Sequence, residues 1–169
     1  MVICKLKVRM FSKLDLVIGA IGIRILRYYE RIIKKPDIFF VKPKIGFGGY
    51  TNYDALAELG ITSILDLRKE ESKAKFSKNI SYHKIGISNG SIPSEHQIIQ
   101  IKKWFKEKLN NSETIFIHCN LGRGRATLVT SLYFAFEGYD FNSIIKLVKK
   151  RKFVYLNKKQ LECLKNYIS

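Results

Sequence analysis

The sequence predicts an α/β fold in which a central, mostly parallel β-sheet is flanked by helices. Strand-like apolar runs alternate with segments of helical periodicity, a pattern typical of parallel strands joined by crossover helices. In addition, the apolar run 114–117 leads directly into a glycine-containing loop and then into a helix. Open α/β sheets bind their ligands at such carboxyl ends of strands. We therefore expect a ligand site in this loop.

Residues 1–35 differ in composition from the rest, with lysines and arginines around a short apolar stretch. The uncharged run 16–23 is far shorter than the ~20 residues needed to cross a bilayer. Apolar side chains recur at helical spacing and predict an amphipathic helix: Leu14, Val17, Ile18, Ile21, Ile25, Tyr28 and Ile32. Two interpretations stay open. The helix could lie on anionic lipid, or it could pack on the domain with a solvated basic face.

The domain that follows begins with short elements. Residues 37–42 and 44–48 favour a pair of strands joined around a proline. Thr51 and Asn52 are predicted to cap a short helix, because their side chains can accept hydrogen bonds from its first N–H groups. Gly60 is predicted to end that helix.

The middle of the chain predicts two strands and a long helix. Residues 62–67 favour a buried central strand, 68–77 a polar connection, and 80–87 a half-buried strand. A loop at 88–93 leads to a helix at 94–110. Its apolar side chains share one face that we expect to enter the core: Ile98, Ile101, Trp104, Phe105 and Leu109.

The last part of the chain contains the strand and loop noted above, followed by three helices. Residues 126–138 are predominantly apolar, which predicts a buried helix. The run 140–143 is predicted to cap a helix at 144–152. Residues 158–168 are predicted to form the last helix.

The 169 residues carry a formal net charge of +17, although 46% of them are hydrophobic. This apolar fraction excludes intrinsic disorder as the reason for the charge. The charge instead predicts an anionic partner, which could be nucleic acid, an anionic membrane surface or a phosphorylated substrate. The three cysteines, Cys4, Cys119 and Cys163, are too few and too scattered for a disulfide framework, and no metal-ligand spacing occurs.

The loop at 118–125 has the composition of a phosphate site that carries a nucleophile. The N–H groups of such a loop and the N-terminus of the following helix attract anions. This field favours the thiolate of Cys119 over the thiol. Gly122 and Gly124 keep side chains out of the loop and allow positive φ. Arg125 can grip two phosphate oxygens with its planar guanidinium.

The pattern His118-Cys119-x-x-Gly122-x-x-Arg125 resembles the His-Cys-x5-Arg signature of the cysteine-based protein tyrosine phosphatase superfamily. The chain is similar to the dual-specificity branch from about residue 37 to the C-terminus. This resemblance implies a dual-specificity phosphatase-like fold with residues 36–169 as the catalytic domain. It also implies that Cys119 attacks phosphorus and that water hydrolyses the resulting phosphocysteine. The phosphate-binding residues would be Asn120, Leu121, Gly122, Arg123, Gly124 and Arg125.

One departure from this family concerns the general acid. In the family, an aspartic acid in the loop before the long helix protonates the leaving oxygen. Alignment puts Asn89 in that position, or Ser88 if the register shifts by one. An amide can donate a hydrogen bond to the leaving oxygen but cannot transfer a proton at neutral pH. Asp66 and Glu95 could be substitutes, although both are explained more simply as strand-end and helix-cap residues.

A second departure follows the loop arginine. Most members have Ser or Thr there, and the hydroxyl supports the cysteine as a leaving group. This chain has Ala126 and then Thr127. A slow-turnover subgroup, resembling the phosphatases of regenerating liver, also has alanine at that position. The resemblance therefore implies phosphate binding with slow turnover. His118 is expected to hydrogen-bond the loop and support the thiolate, with Thr127 as a further supporting residue.

The segment 151–160 is similar to the one that precedes the last helix in this family. The resemblance implies that Gln160 could orient the hydrolytic water; a surface glutamine is the simpler alternative. The cationic run 149–152 could flank the pocket or form a solvated face.

These observations predict a cysteine-dependent phosphomonoesterase acting on phosphoprotein, at tyrosine or at serine and threonine. A lipid phosphate, such as phosphatidylglycerophosphate or a phosphoinositide, is the alternative substrate. The basic N-terminal helix and the C-terminal segment are similar to those of mitochondrial phosphatidylglycerophosphate phosphatases. RNA 5′-triphosphate also fits the charge, but basic and aromatic residues do not interleave as in RNA-binding proteins, so nucleic acid is the least favoured partner.

An alternative of another class is a phosphate-binding pseudophosphatase module, which Asn89 and Ala126 favour.

We expect no metal and no organic cofactor, because the loop itself supplies the positive field. A thiolate nucleophile needs a reducing compartment, so we expect an intracellular, cytoplasmic location. Peripheral association with an anionic membrane through the N-terminal helix is a further option.

Overall fold

The structure, a computed structural model, describes residues 36–51, 53–69 and 80–168. The predicted helix within 1–35, the predicted cap residue Asn52 and most of the predicted polar connection lie outside these ranges. Within the described ranges, no helix has both the length and the apolar character that crossing a membrane requires.

The described strands form one five-stranded sheet. The strands are Ile38–Lys42 (β1), Ile45–Gly48 (β2), Ser63–Arg68 (β3), Ser81–Ile87 (β4) and Ile115–His118 (β5). Their order in the sheet is β1-β2-β5-β3-β4. The pairs β2–β5, β5–β3 and β3–β4 are parallel, and β1 pairs antiparallel with β2. The prediction of a central, mostly parallel sheet is confirmed, with β5 as its middle strand.

Five helices are described with this sheet: Asp54–Glu58 (α1), Glu95–Asn110 (α2), Arg125–Phe136 (α3), Phe141–Val148 (α4) and Lys158–Lys165 (α5). A capping box starts α2, because the Ser94 side chain accepts from the N–H of Gln97 and the Gln97 side chain accepts from the N–H of Ser94. Asp140 caps α4 by accepting from the N–H of Ser143. These caps confirm the predicted starts of both helices to within a few residues.

The sheet is covered by helices on both faces. One face, with Leu65 and Ile117, packs against residues of α2, α3 and the end of α4. The opposite face, with Ile64 and Phe116, packs against α1. Successive side chains of a strand point to opposite faces, so the continuous apolar runs of β3 and β5 suit strands that are buried on both sides. Trp104 of α2 belongs to the first core, as predicted.

Three helix boundaries differ from the predicted ones. α1 follows Tyr53, which makes no side-chain capping hydrogen bond. α4 ends at Val148 and leaves the cations 149–152 outside the helix, where continued helix would bury no apolar surface. α5 ends at Lys165, and tighter hydrogen bonds of three-residue spacing continue the turn to Ile168.

Candidate active site

The loop at 119–124 connects the central strand β5 to the N-terminus of α3. Cys119, its first residue, is 3% exposed. The backbone N–H of Gly122 donates a hydrogen bond to the Cys119 sulfur, with an N–Sγ distance of 3.2 Å. An amide aimed at sulfur favours the anion, and the N-terminus of the 12-residue helix α3 adds to the same field. The geometry therefore suits a thiolate nucleophile.

Gly122 is the residue in the loop that tolerates no side chain. Its φ is +63°, in the left-handed region. A Cβ atom added there would lie 2.2 Å from the carbonyl carbon of Gly48 and 2.4 Å from the nitrogen of Gly49. Both the dihedral angle and the close backbone approach therefore require glycine.

Three backbone contacts hold the loop against the end of β2. The N–H of Cys119 donates to the Gly48 carbonyl at 3.3 Å, and the N–H of Tyr50 donates to the Asn120 carbonyl at 3.1 Å. Leu121 forms an isolated antiparallel bridge with Gly49. The sheet itself therefore shapes the loop, because β2 and β5 are parallel neighbours.

The start of α3 adds a further hydrogen bond to the loop. The Thr127 hydroxyl is fully buried and donates to the carbonyl of Gly122 at 3.3 Å. The hydroxyl thus braces the loop backbone. Ala126, the residue before Thr127, is fully buried and contributes only a methyl group.

The Arg125 guanidinium is anchored to the ends of two neighbouring strands. Its Nη1 donates to the carbonyl of Ile87 at 2.8 Å and to that of Leu67 at 3.4 Å. Arg125 is 3% exposed. These contacts fix the planar group at the carboxyl end of β3 and β4, on the edge of the sheet where the loop lies. A guanidinium held in this way presents a rigid fork to an anion.

His118, the last residue of β5, is fully buried beside Cys119. Its Nε2 lies 3.1 Å from the hydroxyl oxygen of Tyr53. That oxygen also accepts a hydrogen bond from Nη2 of Arg68 at 3.3 Å. Burial, followed by the charge of Asp66, raises the pKa of Tyr53, so the hydroxyl stays protonated. Tyr53 and His118 therefore share a buried hydrogen bond beside the nucleophile.

Asp66 and Arg68 form a buried ion pair on one face of β3. Nε and Nη2 of Arg68 donate to the carboxylate at 3.0 and 2.8 Å, and the Tyr82 hydroxyl donates at 2.8 Å. Burial raises the pKa of Asp66, but the hydrogen bonds from Arg68 outweigh it and keep the pKa below its ordinary value. Such a carboxylate has no proton to transfer. Asp66 is therefore unsuited to the role of substitute acid, and the exposed Glu95 lies in the first turn of α2.

The free energy of unfolding is expected to fall with decreasing pH because of His118. Burial lowers its pKa from 6.5 to about 4; Arg68 and Arg125 act in the same direction, and Asp66 opposes them. The unfolded chain takes up this proton near pH 6.5, whereas the folded protein takes it up only near pH 4. Stability is therefore fully present above pH 6.5 and falls by roughly 3 kcal/mol as the pH decreases between these values. Denaturant unfolding at a series of pH values measures the slope.

His118→Gln should flatten this slope, because glutamine does not titrate in the window. His83→Gln, on an exposed position of β4, is the matched control and should leave the slope as in the wild type. Equal slopes in the wild type and His118→Gln would contradict the prediction. Asp66, with a pKa below 3.8, adds its own loss of stability only at lower pH.

Asn89 lies in a tight turn after β4. The N–H of Ser91 donates to the Ser88 carbonyl at 3.1 Å, and Gly90 has a φ of +74°. The turn is tied to the start of α5, because Nδ2 of Asn157 donates to the Gly90 carbonyl at 2.8 Å. Asn89 itself is exposed. The predicted acid position is thus a fixed turn on the same sheet edge as the loop.

Gln160 is 2% exposed and is therefore not a surface residue. Its Nε2 donates to the Ser91 carbonyl at 3.2 Å, and its Oε1 accepts from the N–H of Asn157 at 3.2 Å. A Cβ atom on Gly124 would lie 3.6 Å from both side-chain amide atoms of Gln160. Gln160 therefore joins the turn that carries Asn89 to the loop.

Arg123 connects the loop to the segment before α5. Its Nε donates to the Phe153 carbonyl at 2.9 Å, and its own carbonyl accepts from the N–H of Tyr155 at 3.0 Å. Burial, with the nearby charge of Arg151, lowers the pKa of Arg123. The structure therefore brings the predicted residues of 118–127 together, with Gln160 against them and Asn89 on the adjoining turn.

Sequence reasoning missed the contact of Tyr53 with His118 and the buried position of Arg68. For Arg68 a signal existed, because Asp66 and Arg68 are two residues apart and so share one face of a strand. Opposite charges at that spacing in an apolar strand indicate a buried pair. Tyr53 gives no such signal, because its contact depends on how α1 packs on the sheet.

Among the residues that the structure describes, no three histidine, cysteine, aspartate or glutamate side chains lie together in a way that could hold a metal ion.

Residues 46–139 match the family model described as "Polymorphic toxin system, DSP-PTPase phosphatase". A curated relative, "Probable protein tyrosine phosphatase type IVA A" of Dictyostelium discoideum, is 28% identical over 95 residues. The match covers 53% of this chain and 55% of the relative, so the chain spans about half the length of that protein.

Several solved structures share the fold. The active form of Tk-PTP matches with a TM-score of 0.68 at 20% identity, over 79% of this chain and 97% of that one. PTPMT1 in complex with PI(5)P matches with a TM-score of 0.69 at 13% identity, over 78% and 94%. The human tyrosine phosphatase-like serine/threonine/tyrosine-interacting protein matches with a TM-score of 0.68 at 19% identity, over 77% and 94%. The predicted fold is confirmed.

Proposed function

The chain belongs to the DSP-PTPase phosphatase family of polymorphic toxin systems, and from this premise we propose that it hydrolyses phosphomonoesters through a phosphocysteine on Cys119. The resemblance inferred from the sequence pattern is thereby confirmed at the level of the family. One observation carries the proposal: the loop amide of Gly122 faces the Cys119 sulfur, while Arg125 is anchored at the same edge of the sheet. A nucleophile and a rigid anion-binding fork thus occupy one site.

In the proposed first step, the Cys119 thiolate attacks the phosphorus of a bound phosphomonoester. A sulfur–phosphorus bond forms, the ester phosphorus–oxygen bond breaks, and the leaving oxygen takes the electron pair. The loop amides and the Arg125 guanidinium stabilise the charge on the oxygens of the transferring phosphoryl group. Positioning and charge stabilisation therefore account for most of the proposed catalysis.

In the second step, water attacks phosphorus, the sulfur–phosphorus bond breaks, and the thiolate is restored with release of inorganic phosphate. A hydroxyl near the sulfur would help the thiolate to leave, but the helix begins Arg125-Ala126 and offers none at that position. The Thr127 hydroxyl is already donated to the loop backbone. We therefore expect breakdown of the phosphocysteine to limit the turnover.

The chemistry of the leaving group favours aryl esters, and so phosphotyrosine among phosphoproteins. Two carboxylates of the described part are held by arginines: Asp66 by Arg68, and Asp37 by Arg151. Asn89 cannot supply a proton at neutral pH. A phenol departs without a proton far more readily than an alcohol does, so a site without an acid at position 89 penalises phosphotyrosine least.

The proposal is tested by trapping the intermediate. We expect acid quenching during turnover of an aryl phosphate to leave a phosphoryl group on Cys119, with a burst of the phenol product before the steady state. Peptide mass spectrometry locates the modification. Cys163, also buried in the described part, serves as an internal control and should stay unmodified.

Ala126→Ser provides a second comparison for this experiment. A hydroxyl at this position should speed breakdown of the phosphocysteine, and so lower both the burst and the trapped fraction. Phosphate binding without any trapped intermediate would contradict the proposed hydrolysis through a phosphocysteine. It would support the alternative of a phosphate-binding pseudophosphatase. Modification at a residue other than Cys119 would overturn the assigned nucleophile.

Asn89→Asp is expected to raise turnover of alkyl phosphates by about 10²–10⁴. The new carboxylic acid could protonate an alkoxide leaving group, whereas aryl phosphates with acidic phenols should gain little. The variant should also lose activity at higher pH, as the added carboxyl group ionises and stops donating. Initial rates on one alkyl and one aryl phosphate across pH measure both effects.

Ser88→Asp is the matched control, because Ser88 lies one position earlier in the same turn. A gain in Asn89→Asp alone would support the proposed alignment, and a gain in Ser88→Asp alone would shift it by one residue. If neither variant changes alkyl turnover or the pH profile, the turn does not hold the acid position.

A second candidate function is the hydrolysis of a lipid phosphate. The observation that favours it is the group of exposed aromatic and basic side chains in the segment joined to Arg123. A phospholipid monoester is an alkyl phosphate, so this function would be slow without an acid. Comparing phosphotyrosyl peptide with phosphatidylglycerophosphate at equal concentration distinguishes the two candidates.

A further inference from the structure

The segment at 149–159, here called the basic–aromatic loop, borders the loop at 119–124, here called the phosphate loop. It runs from the end of α4 through the first two residues of α5, and it contacts Arg123 twice, through the carbonyl of Phe153 and the N–H of Tyr155. A Cβ atom on Gly124 would lie 3.6 Å from the Tyr155 carbonyl oxygen. The basic–aromatic loop is therefore part of the wall around the mouth of the site.

Phe153 is an unusual residue in this wall. Its side chain is 55% exposed, so burial does not account for an aromatic residue there. Its φ is +61°, a left-handed conformation that disfavours a bulky side chain. Strained positions of this kind persist where the surrounding structure enforces them, and they cluster at functional sites. The fold thus holds an aromatic side chain in solvent at a cost in backbone strain.

Other exposed apolar side chains lie around the same mouth. Tyr155 is 41% exposed and Tyr50 is 38% exposed; the N–H of Tyr50 donates to the loop carbonyl of Asn120. Ile92, 44% exposed, follows Ser91, whose carbonyl is bound by Gln160. The mouth is thus bordered by apolar groups from three separate segments of the chain.

The basic–aromatic loop carries six cations and no acidic residue: Lys149, Lys150, Arg151, Lys152, Lys158 and Lys159. Arg151 is paired with Asp37, and Lys158 with Glu162; all five lysines are exposed. Long lysine side chains can keep their ammonium groups in a polar layer while apolar neighbours enter a less polar one.

We propose that the basic–aromatic loop docks the protein on an anionic phospholipid bilayer, with the mouth of the site toward the headgroups. Exposed aromatic side chains among lysines are the composition that membrane interfaces bind: the cations meet anionic headgroups and the aromatic rings enter the interface. An acidic peptide would satisfy the lysines but would leave Phe153 in water. The lipid surface therefore suits both the lysines and the aromatic side chains of the basic–aromatic loop.

The test uses the full chain and two tryptophan variants. Phe153→Trp should show an emission shift to shorter wavelength when vesicles of phosphatidylcholine with phosphatidylglycerol are added, because the indole leaves water. Ile99→Trp is the control, since Ile99 is 67% exposed on α2 and makes no contact with the phosphate loop among those described. Trp104, the single native tryptophan, is buried and gives a common background.

A second measurement compares affinities by vesicle sedimentation. Phe153→Asn should weaken binding about tenfold, because apolar burial is lost. Asparagine accepts the left-handed conformation, so this variant should fold at least as well as the wild type, which thermal unfolding verifies. Lys152→Ser should weaken binding about fivefold, and only at low salt. Vesicles of phosphatidylcholine alone should bind weakly.

No emission shift in Phe153→Trp, or equal affinities of Phe153→Asn and a matched Ile99→Asn variant, would overturn the proposal. So would a result in which Phe153→Asn weakens binding of an acidic phosphotyrosyl peptide but leaves vesicle binding as in the wild type; the wall would then be a peptide site. Binding is measured without turnover, so the outcome does not depend on the phosphatase assignment.

Discussion

Cys119→Ser is expected to abolish hydrolysis of aryl phosphates while phosphate binding persists. The serine hydroxyl is not ionised at neutral pH and is a far weaker nucleophile than a thiolate. The loop amides, the helix N-terminus and Arg125 all remain, so the anion still has its partners. Steady-state rates with an aryl phosphate measure the loss, and calorimetric titration with inorganic phosphate measures the retained binding.

Cys163→Ser is the control for this loss. Cys163 lies in α5, where burial raises the pKa of its thiol, so it stays protonated and unreactive. This variant should hydrolyse aryl phosphates at the wild-type rate. Activity near the wild-type level in Cys119→Ser, or its disappearance in Cys163→Ser, would remove the basis of the proposed mechanism.

Arg125→Lys is expected to lower kcat/KM by about 10³–10⁵, the range that a transition-state arginine contributes in phosphoryl transfer. Lysine preserves the charge but not the planar fork that meets two phosphate oxygens at once. It also cannot reproduce the paired contacts of Nη1 with the carbonyls of Leu67 and Ile87. Rates at several aryl phosphate concentrations separate the loss in kcat from any change in KM.

Arg123→Lys is the matched comparison, since both arginines belong to the same loop sequence. Its Nε binds the Phe153 carbonyl rather than the ends of the strands, and the residue is half-buried. We expect its kcat/KM to fall less than about tenfold. A loss of less than about tenfold in both variants would mean that positive charge alone, and not the fork of Arg125, serves the reaction. Equally large losses in both would mean that the fork of Arg125 has no special role.

The phosphate loop could be predicted from the sequence because its signals are local. An apolar strand run, a cysteine, two glycines and an arginine follow one another within 114–125, and each signal constrains the backbone at its own position. The caps of α2 and α4 were predictable for the same reason, since Ser94 and Asp140 bind N–H groups three residues away. The sheet class followed from the alternation of such segments.

The buried polar network could not be predicted in the same way, because it depends on strand register. Asp66 pairs with His118 across β3 and β5, and this brings a carboxylate oxygen to 3.8 Å from Nε2. A shift of one residue would turn Asp66 to the other face of the sheet. No local pattern sets that register. The burial of Gln160 could not be predicted for a similar reason, since it depends on a turn far from Gln160 in the chain.

The position of β5 has a consequence for how the protein folds. Its neighbours β2 and β3 come much earlier in the chain, and Ile115 pairs with both Ile45 and Ser63. The chain segments that these pairings close into loops are long. The chain therefore loses conformational entropy before it gains any contact in the sheet, and folding is slowed. The phosphate loop, whose shape depends on Gly48 and Gly49, gains its geometry only when these distant strands have met. Phosphate binding during refolding should therefore appear with the last step, after the helices have formed.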